Sequence, residues 1–349
     1  MQSDVIRSSD NGLARLTLNR PAALHALNRS MCAEMTEALL EWRFDPSVKA
    51  ILLDHSGERG FCAGGDIRML AESGAKDGTE AREFFFTEYR LNDLLQAYEK
   101  PVIAVMDGVT MGGGVGLSMP ARYRIATERT TFAMPETGIG LFPDVGGGWH
   151  LPRLPGKAGL WLALTGARLK GADCLALGIA THFVQSDRVA DLKAAIVSSG
   201  GDGLDEVIAA HAADPGVAPI RARRADIDRL FAGDSIEAIF AALAADEGDW
   251  AADQLKSLKT KSPQTMKVAH RQLRLGAAMP SFAANMAMEY RIGARVVARH
   301  DFIEGVRAVI VDKDNAPRWT PSTVEGVTDA MLDGIFAPLP PEQEWTPLP

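Results

Sequence analysis

Two acids, Glu136 and Asp144, stand eight residues apart in MPETGIGLFPDVGGGWH (134–150), a stretch with no Lys or Arg and with glycine at five positions. A carboxyl group in apolar surroundings is biased toward its protonated form. That suits a group that must take a proton from water, or attack a carbonyl, near neutral pH. Phe132, Met134 and Ile139 supply such surroundings for Glu136, and Pro135 removes one backbone donor beside it. Asp144 immediately precedes Val145-Gly146-Gly147-Gly148, so it also has a plainer use, as the cap of a helix that starts there.

Two more glycine clusters could complete a reaction centre, GERGFCAGGDIRML (57–70) and GVTMGGGVGLSM (108–119). Each reads as a strand, a turn and the start of a helix. Such a junction leaves backbone N–H groups without partners, and two junctions aimed at one point make an oxyanion hole, which stabilises a carbonyl oxygen as it gains negative charge. Glycine content alone is explained more simply by tight packing of strand on helix, so the residues around the glycines have to decide.

The elements that must position these groups follow from periodicity. The first 185 or so residues alternate short apolar runs with amphipathic stretches, the pattern of an α/β domain. Leu13 to Leu18 reads as a strand closed by Asn19-Arg20-Pro21. From Ser30 to Trp42 apolar residues recur at helical spacing, with Ser30 as N-cap and Asp45-Pro46 as the stop. Val48 to Leu53 and PVIAVM (101–106) have strand length, and 79–98 reads as a long helix. From Gly108 to Gly148 ten glycines punctuate the chain, so the backbone there turns sharply or approaches something closely. Near 187 the composition becomes Ala-rich, charged and helical. The expected organisation is a catalytic core over 1–186, a mainly helical region over 187–337 and a Pro-rich tail over 338–349, which holds five of the nineteen prolines and should run extended over the surface or be disordered.

Several function classes lose their support. A formal charge of −8 argues against wide nucleic-acid contact. Seven scattered histidines without an H-x-x-x-H pair offer no metal site. Neither a G-x-G-x-x-G turn after a strand nor a P-loop is present, and GLSMP (116–120) lacks the second glycine of a serine-hydrolase elbow. Cys32, Cys62 and Cys174 form no C-x-x-C pair, which fits a reducing compartment, and Cys62 reads as a small buried apolar residue. No run of about 18 uncharged apolar residues exists. MQSDVIRSSDNG has neither the apolar core of a signal peptide nor an Arg-rich amphipathic pattern, so the expected location is cytoplasmic, without membrane attachment.

Four blocks, NRPAALHALN (19–28), FCAGGDI (61–67), MGGGVGL (111–117) and PETGIGLFPDVGGG (135–148), resemble in the same order the enoyl-CoA hydratase/isomerase (crotonase) superfamily. Within it the resemblance is strongest to the 3-hydroxyisobutyryl-CoA hydrolases, through FFFTEYRLND (84–93), LTGARLKGAD (164–173) and DFIEGVRAVIVDKDNAPRW (301–319). The resemblance implies a spiral of ββα units that binds an acyl-CoA thioester and needs no cofactor, coenzyme A being part of the substrate. Matched motif to motif, the two oxyanion donors fall on Gly65 and Gly113. The CoA-lining positions fall on Ala23, Leu24, Ala63, Asp66 and Ile67, of which Asp66 would also serve as a helix N-cap. Glu88, in the EYxLN motif, would contact substrate, against the ordinary expectation of an exposed helical glutamate.

One departure bears on the reaction. Hydratases of the superfamily use two glutamates, and the position of the first is Gly116 here, whereas the second is retained as Glu136. Where hydratases usually have glycine this chain has Asp144, as the hydroxyisobutyryl-CoA hydrolases do. The resemblance therefore implies hydrolysis of 3-hydroxyisobutyryl-CoA, an intermediate of valine degradation, with Glu136 as base or nucleophile and Asp144 on the 3-hydroxyl. The rivals are an enoyl-CoA hydratase or isomerase of the same fold, and a catalytically silent acyl-CoA-binding scaffold. Superfamily members often form trimers or hexamers through C-terminal helices, so the resemblance leaves a homo-oligomer possible, with the extra helical sequence after 187 placed to rearrange or block that contact.

Overall fold

The computed structural model describes residues 3–349. Among the described residues there are ten strands: β1 (Val5–Asp10), β2 (Leu13–Leu18), β3 (Ala50–His55), β4 (Gly60–Cys62), β5 (Val102–Met106), β6 (Val109–Met111), β7 (Tyr123–Ala126), β8 (Thr131–Ala133), β9 (Leu169–Lys170) and β10 (His182–Phe183). They make a six-stranded sheet of order β1-β2-β3-β5-β7-β10 and a four-stranded sheet of order β4-β6-β8-β9. The β1–β2 and β8–β9 pairs are antiparallel and the others described are parallel. The β1–β2 connection is the two-residue turn Asn11-Gly12, both at positive φ, which matches the twist of a tight hairpin.

The pairs β3/β4, β5/β6 and β7/β8 each send a first strand into the large sheet and a second into the small one. The chain therefore climbs in a spiral of ββα units, the architecture that the resemblance implies. Every residue of β3 and β5 is buried, because both faces of these parallel strands are covered, and such strands read in sequence as continuous apolar runs. At the carboxyl ends of β4, β6 and β8, three neighbouring strands of which β6 pairs in parallel with both others, lie the turns at Ala63-Gly64-Gly65, Gly112 and Pro135-Glu136. Ligand sites of open α/β sheets form in the same place, beyond the carboxyl ends of parallel strands.

Several boundaries differ from the sequence expectation. The first long helix is Arg29–Arg43, and its cap is Asn28, whose side chain accepts from Met31 N–H; Ser30 instead donates to Asn28 Oδ1 at 3.1 Å. The strand expected at Val48 to Leu53 is Ala50–His55, and the helix expected over 79–98 is Thr79–Gln96. After β10 the chain is helical. Helices Val189–Ser199 and Leu204–Ala209 cover one face of the large sheet, where Leu192, Ile196 and Ile208 meet Leu52, Ile103 and Val105. Helices Pro263–Ala277 and Phe282–Val296 share one continuous core with the spiral. The Pro-rich end is anchored there as well: Trp345 is buried and its indole N–H donates to Phe86 O at 3.2 Å, while Arg90 donates to Thr346 O at 2.8 Å. Among the described residues, no helix is long and apolar enough to cross a membrane.

Candidate active site

The three turns enclose a cavity of ≈ 70 Å³, lined by Gly64, Gly65, Gly112, Gly113, Glu136 and Asp144 together with Ala63, Ile67, Glu88 and an apolar wall of Phe84, Phe85, Leu141 and Val145. Seven of the residues singled out from sequence thus meet in one place: Gly65, Gly113, Glu136, Asp144, Glu88, Ala63 and Ile67. Ala23, Leu24 and Asp66 lie outside this lining. They are nevertheless tied to it, since Ala63 N–H donates to Leu24 O at 3.0 Å and Leu27 bridges Gly65 in parallel register. Asp66 caps the helix Ile67–Gly74 through Met69 N–H and pairs with Arg20 at 3.3 Å, so its capping role is realised.

Gly113 is the first residue of the helix Gly113–Ser118, and Gly65 lies in the turn after β4. Among the described residues neither N–H is used in a backbone hydrogen bond. Gly113 has no room for a side chain, because a Cβ would sit 2.8 Å from Glu88 Oε1 and 2.9 Å from a Leu27 methyl. Close approach of backbone to a ligand is the property that glycine provides here.

Glu136 opens the short turn Glu136–Ile139 that follows β8, is buried, and has no hydrogen-bond partner at Oε2. Its Oε1 lies 3.5 Å from where a Cβ on Gly112 would be, so the carboxyl group faces the glycine turn. Burial, and secondarily the charge of Asp144, push it well above the ordinary glutamate range. Glu88 projects from the helix Thr79–Gln96, is buried, and has Oε1 unpartnered. Burial and Asp144 raise it well above its usual value too. It is not the exposed residue that its helical position suggested.

Asp144 does not cap the helix behind it. Its carboxylate accepts from the Tyr89 hydroxyl at 3.0 Å, and burial pushes it up to about 7. The helix Gly147–His150 is capped by another residue, Glu289, which accepts from Gly146 N–H and Gly148 N–H at 2.8 Å each. Glu289 also accepts from Gln272 at 3.0 Å and Asn285 at 2.9 Å, and burial moves it up to about 7. Sequence reasoning missed Glu289 and Tyr89. One signal was available, an acid and an amide (Asn285) four residues apart on the apolar stripe of Met286, Ile292 and Val296.

At Gly116, where the resemblance places the first hydratase glutamate, a Cβ would lie 2.6 Å from Val145 Cβ and 2.8 Å from Asn92 Nδ2. Val145 is held at φ +52°, rare for a β-branched residue. Cys62 is buried and its thiol is pushed up to about 12 by burial, as a small buried apolar residue would be. Among the described residues no group of three His, Cys, Asp or Glu side chains is placed to hold a metal ion. A cavity with unengaged N–H groups, an unpartnered carboxyl group and a second carboxylate held by a tyrosine can receive a carbonyl compound that carries a hydroxyl group.

The chain belongs to the enoyl-CoA hydratase/isomerase family, whose profile matches residues 13–336. More narrowly, it is 46% identical over 334 residues to a protein of Danio rerio named 3-hydroxyisobutyryl-CoA hydrolase, mitochondrial, covering 93% of this chain and 87% of that one. The Homo sapiens protein of the same name is 41% identical over 332 residues, covering 93% and 86%. Among solved structures, a carnitinyl-CoA dehydratase from Mycobacterium thermoresistibile superposes with a TM-score of 0.94 at 41% identity, over 99% of each chain. An enoyl-CoA hydratase from Rhodobacter sphaeroides 2.4.1 gives 0.91 at 40% identity, over 99% of this chain and 100% of that one. These names divide between hydrolysis of a thioester and addition or loss of water.

Proposed function

We propose that this enzyme hydrolyses 3-hydroxyisobutyryl-CoA to 3-hydroxyisobutyrate and CoA, the thioester-cleaving step of valine degradation. The observation that carries the proposal is the combination at Gly116, Glu136 and Asp144: the first hydratase glutamate is missing and its space is filled by Val145 and Asn92, while the other two acids line one cavity. The names of the sequence relatives support the same reading.

In this reading the thioester carbonyl oxygen sits between the N–H groups of Gly65 and Gly113, which stabilise the negative charge it gains on attack. Glu136 acts in one of two ways. It removes a proton from a water molecule that attacks the carbonyl carbon, or it attacks that carbon itself to give an anhydride that water then opens. On either route the C–S bond breaks, the CoA sulfur takes a proton, and the acyl carbon gains the water oxygen. Asp144, oriented by Tyr89, accepts a hydrogen bond from the 3-hydroxyl. A site built around that hydroxyl leaves Asp144 unpaired when a substrate lacks it, so discrimination against the plain acyl-CoA is large. Glu88 contacts substrate at the Gly113 side, and Ala23, Leu24, Ala63, Asp66 and Ile67 line the CoA moiety. The three buried free thiols support a reducing compartment, either the cytoplasm or, as the vertebrate relatives are named, the mitochondrion.

Thiol release from a panel of acyl-CoAs tests reaction and substrate together. 3-Hydroxyisobutyryl-CoA should be cleaved fastest, 3-hydroxypropionyl-CoA, one methyl smaller, within about 10- to 200-fold of it, and isobutyryl-CoA far more slowly. Equal rates for isobutyryl-CoA and its 3-hydroxy form would remove the role given to Asp144. Loss of the double-bond absorbance of crotonyl-CoA at a rate exceeding thiol release would favour the hydratase reading instead.

A further inference from the structure

Asp144 sits on a strained piece of backbone. The two residues after it, Val145 and Gly146, have φ of +52° and +91°. A β-branched residue in the left-handed region is unfavourable and persists only where its surroundings enforce it. The enforcing contacts come from two helices far along the chain. Glu289, on Phe282–Val296, accepts from Gly146 N–H and Gly148 N–H at 2.8 Å, gripping the turn on its C-terminal side. Gln272, on Pro263–Ala277, donates to Pro143 O at 2.7 Å on the N-terminal side and to Glu289 Oε1 at 3.0 Å, so the two sides are joined. Asn285 supplies a fourth donor to Glu289 at 2.9 Å, and there is no space for slack, since a Cβ on Gly148 would lie 2.6 Å from Asn285 Oδ1. Glu289, Gln272 and Asn285 are buried, and none of them lines the cavity.

We infer that Glu289 is a positioning residue for substrate recognition: it clamps the Pro143–Gly148 turn so that the Asp144 carboxylate stays in register with Tyr89 and with the hydroxyl of the acyl group. The inference rests on the reading of Asp144 given above. A glutamine at 289 would present an N–H₂ group to one of the two backbone donors, so Glu289→Gln loses one side of the grip and keeps the volume.

The test compares kcat/KM for thiol release from 3-hydroxyisobutyryl-CoA and from isobutyryl-CoA in the wild type, Asp144→Asn, Glu289→Gln and the double variant. Glu289→Gln should lower the preference for the hydroxylated substrate by about tenfold or more, the scale of a lost hydrogen bond to a charged group. It should lower it little further in the Asp144→Asn background, because residues that act through one another are not additive. Parallel loss on both substrates, or an undiminished effect in the double variant, would show a general role in folding and overturn the inference. Should Glu289→Gln not fold, Gln272→Leu removes the joining donor and must give the same loss of preference. If the wild type shows no preference, or Asp144→Asn leaves it unchanged, the reading of Asp144 itself has failed, which the first two proteins reveal on their own.

Discussion

The Tyr89 hydroxyl donates to Asp144 Oδ2 at 3.0 Å, with both side chains buried and no water path needed between them. The bond fixes one carboxylate oxygen and leaves the other for a further partner. Because it lowers the Asp144 value that burial raises, it also sets how readily this acid ionises.

Tyr89→Phe keeps the ring and deletes the donor. Hydrogen bonds to charged groups contribute about 1.5 to 3 kcal/mol, so kcat/KM for 3-hydroxyisobutyryl-CoA should fall by about tenfold to a hundredfold, with a much smaller loss on isobutyryl-CoA. Steady-state thiol release on the two substrates measures both. An equal loss on the two would place Tyr89 outside the recognition of the hydroxyl.

In the proposed mechanism Glu136 must be ionised to act as base or nucleophile, and burial holds it well above the ordinary glutamate range. Activity should therefore rise with pH through that raised value, giving an acidic limb displaced toward neutrality. Glu136→Gln should lower kcat by about a thousandfold, within the range for a lost general base. Glu136→Asp, with a shorter reach into the same turn, should keep a trace of activity and move the acidic limb. A limb that stays in place in Glu136→Asp would assign it to another group.

Asp144 titrates at about 7 in the folded chain against an ordinary 3.8. Between those values the folded state holds a proton that the unfolded chain has released. The penalty is thus absent below about pH 4, grows as pH rises and is complete above about pH 7. Asp144→Asn removes this titration. Its stability relative to wild type should improve as pH rises from 5 to 8. Urea unfolding at both pH values checks the direction, and a constant offset between the two proteins would contradict it.

Gly116 faces Val145 and Asn92 with no space for a methyl group. Val145 cannot step back without leaving its turn, so Gly116→Ala should destabilise by about 1 to 3 kcal/mol, as overpacking of a tight interior does. For the same reason Gly116→Glu, which restores the hydratase residue in name, should gain no hydration of crotonyl-CoA. Thermal unfolding and the double-bond absorbance assay cover the two outcomes.

The long or fully buried elements are legible from periodicity: Leu13–Leu18 is found as read, and β3 and β5 announce themselves as apolar runs. The strands β4, β6, β8, β9 and β10 span two or three residues each, too short for any period to register. Asn28 and Ser30 are both good capping residues two positions apart, and only the observed bond to Met31 N–H separates them. Glu136, Asp144 and the two glycine turns stood out because their composition is unusual and matches a family pattern. Tyr89 and Glu289 did not, since an aromatic or an acid on a helix is ordinary until the fold shows which face is inside and what it meets there.

The helix Phe282–Val296 and the tail follow every residue of the cavity lining in the chain. During synthesis the cavity walls, with Glu136 and Asp144, leave the ribosome long before Glu289, Trp345 and Thr346 are made. The helix bearing Glu88 and Tyr89 gains its contacts with Trp345 and Thr346 only once those residues follow. Until Glu289 is in place, the turn that carries Asp144 lacks the acceptor for Gly146 N–H and Gly148 N–H.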